Sequence, residues 1–245
     1  MGVIPIDLLL ADAKRHRERF GRPLVTLSYA QSLDGSIAAC RGSPLSLSGS
    51  ESMILTHRLR AAHGAVLVGI GTVLADNPRL NVRLVDGSDP QPIILDSRLR
   101  FPLDSSLLSN ESLSPWIITT PHALRERQYI LEAVGARVLH MPSEANGWVD
   151  LNALLKALAA SGISSLMVEG GARVITSFLH RRLVDRLVLT ITPTIVGGLH
   201  AVEAPLFSGS DSMSNIAHSP RLQDLGYEQS GADIVIWATL AWEAE

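Results

Sequence analysis

Two stretches of the chain are built to hold an anion. Val66-Leu67-Val68-Gly69-Ile70-Gly71-Thr72 and Leu166-Met167-Val168-Glu169-Gly170-Gly171-Ala172 each run an apolar strand into a glycine turn that opens a helix. Glycine lets the backbone come close to a ligand, and a helix start offers unpaired N–H groups to negative charge. Two such turns in one chain suggest a bound pyrophosphate. Neither completes G-x-G-x-x-G, because Leu74 stands at the third glycine position. Taken singly, each is equally well a plain tight turn.

Acids stand beside both turns. Glu169 ends an apolar strand directly before Gly170-Gly171, so it projects from the carboxyl edge of a sheet, where open α/β sheets bind ligands. Asp76 follows the first turn in Ala75-Asp76-Asn77-Pro78, which is also turn chemistry. A third strand end, Leu95-Asp96-Ser97-Arg98-Leu99-Arg100, offers a hydroxyl and a guanidinium of the kind that holds the 2′-phosphate of NADP; for Arg98 or Arg100 alone, a solvated turn is the simpler reading. There is no G-x-S-x-G, no P-loop and no H-E-x-x-H, and the 8 histidines show no metal-ligand spacing, so no metal is expected. His57 reads as a helix-face residue and Cys40 as an inert thiol.

The elements that must position these groups alternate in type. Residues 6–20 form an amphipathic helix with Leu9, Ala13 and Phe20 on one face, Asp7 as its cap and Gly21 as its stop, an arm spanning 1–21. Strands are expected at Leu24 to Ala30, Ala65 to Val68, Pro92 to Leu95, Trp116 to Thr119, Arg137 to His140, Ser165 to Val168 and Arg186 to Ile191. Helices are expected at Glu51 to Ala62, Thr72 to Asp76, around Leu151, Leu154, Leu155 and Leu158, and at Ala172 to His180. Ser43 to Ser52 is a serine-rich loop and Gly197 to Asn215 a long surface loop. Leu222 to Gln229 and Ile234 to Leu240 flank Ser230-Gly231-Ala232-Asp233 as a hairpin. The fold class is therefore α/β: a mostly parallel sheet flanked by helices, with a C-terminal antiparallel hairpin, in a single domain over 22–245.

Composition narrows the partners. In 245 residues, 21 Lys+Arg against 24 Asp+Glu give a net charge of −3, without the basic excess of nucleic-acid binders. Aromatic residues at 4% leave little for stacking along a single strand. No run approaches the ~18 apolar residues of a membrane span, and the N-terminus has no secretory pattern. One cysteine builds no disulfide framework. A cytoplasmic protein with no nucleic-acid or membrane partner is expected.

Taken in order, Ser32-Leu33-Asp34-Gly35-Ser36-Ile37-Ala38, His57-Arg58-Leu59-Arg60-Ala61, Val68 through Leu80, Leu95-Asp96-Ser97 and Val168-Glu169-Gly170-Gly171 resemble the pyrimidine reductases of riboflavin biosynthesis. The resemblance runs from about Arg22 to the C-terminal strands. It implies a dihydrofolate-reductase-like fold, NADPH as cofactor, a homodimer, and reduction of the ribose of a phosphoribosylamino-pyrimidine to its ribityl form, the pyrimidine being either a uracil or a 2,5-diamino-pyrimidinone. The zinc deaminase fused to many bacterial relatives would need H-x-E and P-C-x-x-C, which are absent, so a stand-alone reductase is expected.

Carried over by that resemblance, Asp76 and Glu169 are the catalytic acids. Ala30, Gly69, Thr72, Asp76, Ser97, Gly170 and Gly171 would contact the cofactor, with Ser97 at its 2′-phosphate. Arg60 and Arg83 would bind the substrate phosphate, and Leu80, Asn81 and Glu169 the rest of the substrate. Two departures stand out. Ser28 replaces a lysine common in the fused forms, and Ser43-Pro44-Leu45-Ser46-Leu47-Ser48-Gly49 replaces a Ser-x-Trp-Ile-Thr run, without its tryptophan. Two other readings remain at this level: a pterin reductase of the same fold, and a catalytically silent nucleotide-binding module.

Overall fold

The structure is a computed structural model that describes residues 4–110, 113–203 and 219–242. In chain order the elements are α1 (Ile6–Leu10), α2 (Ala13–Phe20), β1 (Leu24–Ser32), β2 (Ser36–Ala38), α3 (Ser50–Ala62), β3 (Ala65–Gly69), α4 (Ile70–Asp76) and β4 (Gln91–Leu95). There follow β5 (Trp116–Thr119), α5 (Arg125–Ala133), β6 (Arg137–His140), α6 (Leu151–Ala160), β7 (Ser165–Val168), α7 (Ala172–His180), β8 (Arg186–Thr192), β9 (Leu199–His200), β10 (Arg221–Ser230) and β11 (Asp233–Ala241). Nine strands form one sheet in the order β10-β11-β8-β1-β7-β3-β4-β5-β6. From β8 to β6 every pairing is parallel, whereas β11 runs antiparallel to both β8 and β10.

The central strands are short apolar runs because helices cover both of their faces. Along β3, Ala65 and Leu67 pack with α6 and α7, while Val66 and Val68 pack toward α3 and α4 on the other side. β7 divides the same way, Leu166 and Val168 to one face and Met167 to the other. Leu67 and Met167 are both fully buried. Truncating either to alanine should cost about 2–5 kcal/mol.

The register brings the functional strand ends level. Leu67 lies opposite Val168, and Leu27 on β1 lies opposite Val168 on the other side. The Glu169 N–H still donates to the Leu67 carbonyl at 2.9 Å, so β7 is pinned up to the residue that leaves the sheet.

Four expectations are refined. The N-terminal helix breaks at Ala11 and Asp12 into α1 and α2, and Asp7 caps nothing. Ile4, Leu9 and Ala13 are buried, so the segment is packed on the body, but Phe20 is 53% exposed. The break turns Phe20 off the shared face, where its ring meets His16 at 4.6 Å and the Arg19 guanidinium. α5 gave no helical periodicity because Leu131 is its single buried residue. The stretch from Gly197 begins with β9, which pairs with β2 as a separate two-stranded ribbon; its residues 204–215 lie outside the described residues.

Candidate active site

The carboxyl ends of β1, β7, β3 and β4 open onto a cavity of about 820 Å³, within the usual range of ~300–1,000 Å³ for small-molecule sites. Both glycine turns line it, as do Asp76, Glu169, Arg60, Ser97, Ala30 and Leu80. Residues far apart in sequence are thus gathered where the strands of a parallel sheet end.

The glycines divide into two kinds. A Cβ on Gly170 would stand 2.5 Å from the Val174 side chain, and one on Gly69 would stand 2.8 Å from it. These two exist to let α7 close onto β3 and β7. A Cβ on Gly71 would meet no protein atom within 4 Å, and one on Gly171 would reach no nearer than 3.5 Å, to Thr72 Oγ1. Open space against bare backbone is a cradle that a bound group can fill. No side chain caps the start of α7, so the N–H groups ahead of Val174, which itself donates to the Gly171 carbonyl at 2.9 Å, remain available to an anion. Backbone donors, open space and the Thr72 hydroxyl fit the pyrophosphate of a dinucleotide.

The two acids sit in contrasting surroundings. Glu169 is gripped by Arg60, with Nε to Oε1 and Nη2 to Oε2 both at 2.7 Å, and both side chains are largely buried. Such a planar fork is the strongest geometry for a guanidinium and a carboxylate. Asp76, at the last turn of α4, has no such cation among the described residues, and burial pushes its carboxyl above the usual range. Asp96 is different again. Its side chain is wholly buried, Oδ2 accepts from the Phe101 N–H at 2.8 Å, and burial lifts its pKa as well. It folds the turn that presents Ser97, Arg98 and Arg100 to the cavity, so both arginines stand in the wall and not merely in a solvated turn.

Arg60, expected at the substrate phosphate, has its fork turned onto Glu169 and its Nη1 on the Asn81 carbonyl at 3.2 Å. Asn81 and Arg83 are not wall residues. The chain turns outward after Leu80, whose φ is +53°, and the Arg83 guanidinium bonds Asn81 Oδ1 at 3.1 Å. His57 is fully buried inside the fold, its Nδ1 accepting from the Arg83 N–H at 3.1 Å. Ser28 lines the cavity, as do exposed Cys40, Ser43 and Ser46. Asp34 accepts from the hydroxyls of Ser32 and Ser36 and from the N–H groups of Val196 and Gly197. Those bonds hold it below the ordinary carboxylate range and tie the turn after β1 to the ribbon that supplies Ile37, Ala38 and Leu199 to the wall. Sequence spacing gave no sign of Trp148, Arg173 or Arg181, which also line the cavity. Among the described residues, no group of three or more His, Cys, Asp or Glu is placed to hold a metal, and no helix is long and apolar enough to cross a membrane.

The RibD C-terminal domain family model matches residues 23–236. The chain belongs to the RibD C-terminal domain family. The 2,5-diamino-6-ribosylamino-4(3H)-pyrimidinone 5′-phosphate reductase of Debaryomyces hansenii is 39% identical over 195 residues, covering 72% of this chain and 77% of that protein. The reductase of the same name from Methanothermobacter thermautotrophicus is 36% identical, covering 89% and 99%. The riboflavin biosynthesis protein RibD of Aquifex aeolicus is 37% identical, but the chain spans only 57% of its length. Among solved structures, a riboflavin biosynthesis reductase of Saccharomyces cerevisiae superposes with a TM-score of 0.73 at 31% identity, covering 96% and 99%. RibD of Acinetobacter baumannii gives 0.78 at 28% identity, covering 95% of this chain and 62% of that one. The homologues of this RibD-family chain are thus named as reductases of riboflavin biosynthesis, and the mostly parallel sheet with its terminal hairpin is the fold they share.

Proposed function

We propose that the chain reduces the ribose of 2,5-diamino-6-ribosylamino-4(3H)-pyrimidinone 5′-phosphate to its ribityl form, with NADPH as the reductant. The observation that carries this reading is the meeting of Asp76 and Glu169 in one cavity with the Gly71 and Gly171 cradle. The choice of pyrimidinone follows the relatives of similar length, which carry that name. The deaminated uracil analogue is the second candidate, since the longer RibD relatives match the chain as well.

When bound, the reduced nicotinamide supplies the hydride. The chain's own residues do the rest. Opening the ribose breaks the bond from C1′ to the ring oxygen, which needs a proton there. Asp76, whose carboxyl holds its proton to higher pH than usual, supplies it. The C1′=N group so formed accepts hydride better when cationic, and Glu169, oriented by Arg60, faces that developing charge. Thr72 and the start of α7 would hold the cofactor's pyrophosphate, and Ser97 would meet its 2′-phosphate. A homodimer is part of the reading. Among the described residues, β10 is an edge strand with no further strand beside it and with exposed Leu222, Leu225 and Tyr227, a surface that calls for cover. Cytoplasmic residence completes it, in keeping with a metabolic enzyme that carries a free, exposed Cys40.

The test is oxidation of NADPH in the presence of each of the two pyrimidine phosphates. Turnover with the diamino compound supports the reading. Tight NADPH binding with no turnover on either would replace it with a nucleotide-binding module.

A further inference from the structure

His57 is fully buried on α3 and is not a wall residue of the cavity. It stands one helical turn before Arg60 and Ala61, so the three side chains share one face of the helix. All three meet the segment 81–89, which crosses that face. Arg60 Nη1 donates to the Asn81 carbonyl at 3.2 Å, and the Arg83 N–H donates to His57 Nδ1 at 3.1 Å. Between them, the Val82 N–H donates to Asp89 Oδ1 at 2.7 Å. Gly87, at φ +153°, comes so near that a Cβ there would stand 2.6 Å from the Ala61 Cβ.

Successive backbone groups at Asn81, Val82 and Arg83 are therefore each held by a different side chain. Asp89 is itself fixed, with Oδ2 accepting from Asn110 Nδ2 at 3.0 Å. The segment cannot slide along α3 without giving up several of these bonds at once. The Asn81 carbonyl also completes the set of acceptors that fix the plane of the Arg60 guanidinium, together with the two oxygens of Glu169.

Filling space does not explain a histidine at this position. Its Nε2 is buried with no partner among the described residues, and a leucine there would leave no nitrogen unmet. What the imidazole offers is an acceptor at Nδ1. Burial holds the ring below its ordinary pKa, and the Arg60 and Arg83 charges act the same way against those of Glu169 and Asp89. The neutral ring, the form whose Nδ1 can accept, is thereby favoured.

We propose that His57 is a positioning residue of the reaction: by holding the Arg83 N–H it fixes the segment 81–83 against Arg60, and through Arg60 it orients the Glu169 carboxylate. This rests on the reading that Glu169 serves the reduction of the ribose, and it adds a residue without ligand contact to those that set the rate.

The test compares His57→Leu, His57→Asn and Asp89→Ala in NADPH oxidation with the diamino-pyrimidinone phosphate. Each rate is divided by the concentration of NADPH-binding sites found by titration, so unfolded protein does not count. His57→Leu should lower kcat roughly 10-fold or more, as misplacement from a distance does, with the Kd for NADPH unchanged because the cradle lies on other elements. His57→Asn, whose Oδ1 can stand in for Nδ1, should keep most of the turnover. Asp89→Ala loosens the same segment from its other side and should lower kcat as His57→Leu does, which also carries the test if His57→Leu does not fold. In an Arg60→Met background, His57→Leu should bring no further loss, since its effect runs through Arg60. Unchanged kcat per site in His57→Leu or Asp89→Ala, equal losses in His57→Asn and His57→Leu, or a full further loss in the Arg60→Met background overturns the proposal while the unaltered chain still turns over. Absence of turnover by the unaltered chain overturns the functional reading itself.

Discussion

Arg60 on α3 and Glu169 at the end of β7 are joined by two parallel hydrogen bonds of 2.7 Å, across 109 residues of sequence. The pair ties the helix that precedes β3 to the strand beside it, and it fixes the plane of the Glu169 carboxylate at the sheet edge. Breaking a largely buried pair from one side leaves an uncompensated charge, so Arg60→Ala should lower unfolding stability by about 3 kcal/mol. The double variant Arg60→Met with Glu169→Gln should recover most of that loss in urea titrations, yet stay catalytically impaired. Recovery of activity along with stability would assign the pair to structure alone.

Asp76 gives a pH signature. Burial raises its carboxyl pKa, so the protonated form persists to higher pH than for an ordinary aspartate. A proton donor of this kind makes kcat/KM fall as pH rises through that raised value. Asp76→Asn should lower kcat/KM by at least ~10²-fold and abolish that limb of the profile. Wild-type turnover by the variant would remove Asp76 from the reaction.

The two kinds of glycine separate folding from binding. Gly71→Ala adds a methyl into open space on a helix, so melting temperature should hold or rise while the Kd for NADPH increases. Gly170→Ala drives a Cβ into Val174 and should lower melting temperature by several degrees, with partial rescue by Val174→Ala. Thermal melts and cofactor titrations on the same samples read both effects.

His63 sets a limit on acid stability. Burial pulls its pKa down to about 4 from the ordinary 6.5, and it stays neutral with Nδ1 donating to the Leu59 carbonyl at 2.6 Å and Nε2 accepting from Thr26 Oγ1 at 2.9 Å. The unfolded chain takes up a proton below 6.5 that the folded chain refuses until about 4. Stability from this group is therefore complete above that window and declines as pH falls through it. His63→Gln should flatten part of this slope in denaturant titrations at stepped pH. His57, also held low by burial, retains part of it.

Much of this was legible in residue order. The apolar runs of β3, ending in Gly69, and β7, reaching Gly170 two residues past its end, announce buried parallel strands with ligand-facing ends, and Gly162 marks the stop of the leucine-spaced α6. Glu169 could be singled out because it directly follows β7, Ser97 because it lies two residues past β4, and Asp76 because it closes the short helix after β3. Partner choice was not. The resemblance implies Arg60 and Arg83 as phosphate ligands and Asn81 as a pocket residue, but the partners they take here, Glu169 for Arg60 and Asn81 Oδ1 for Arg83, depend on the fold alone. Trp148 sits in a short polar loop with no periodicity, so its place on the cavity depends entirely on how that loop folds over the sheet edge. The ribbon of β2 and β9 is too short to leave a pattern.

The strand order carries a consequence for how the molecule comes into being. β1 pairs with β7 and β8, so Leu24 waits for Ser165 and Thr26 for Arg186. A chain emerging from the ribosome must hold its first long strand unpaired until more than half of the sequence has followed. Topologies with such distant pairings nucleate slowly and pass through states with bare apolar edges. Nascent chains halted before Arg186 should therefore engage chaperones and show no protease-resistant body, and their maturation should depend on translation speed across the stretch from Ser165 to Thr192.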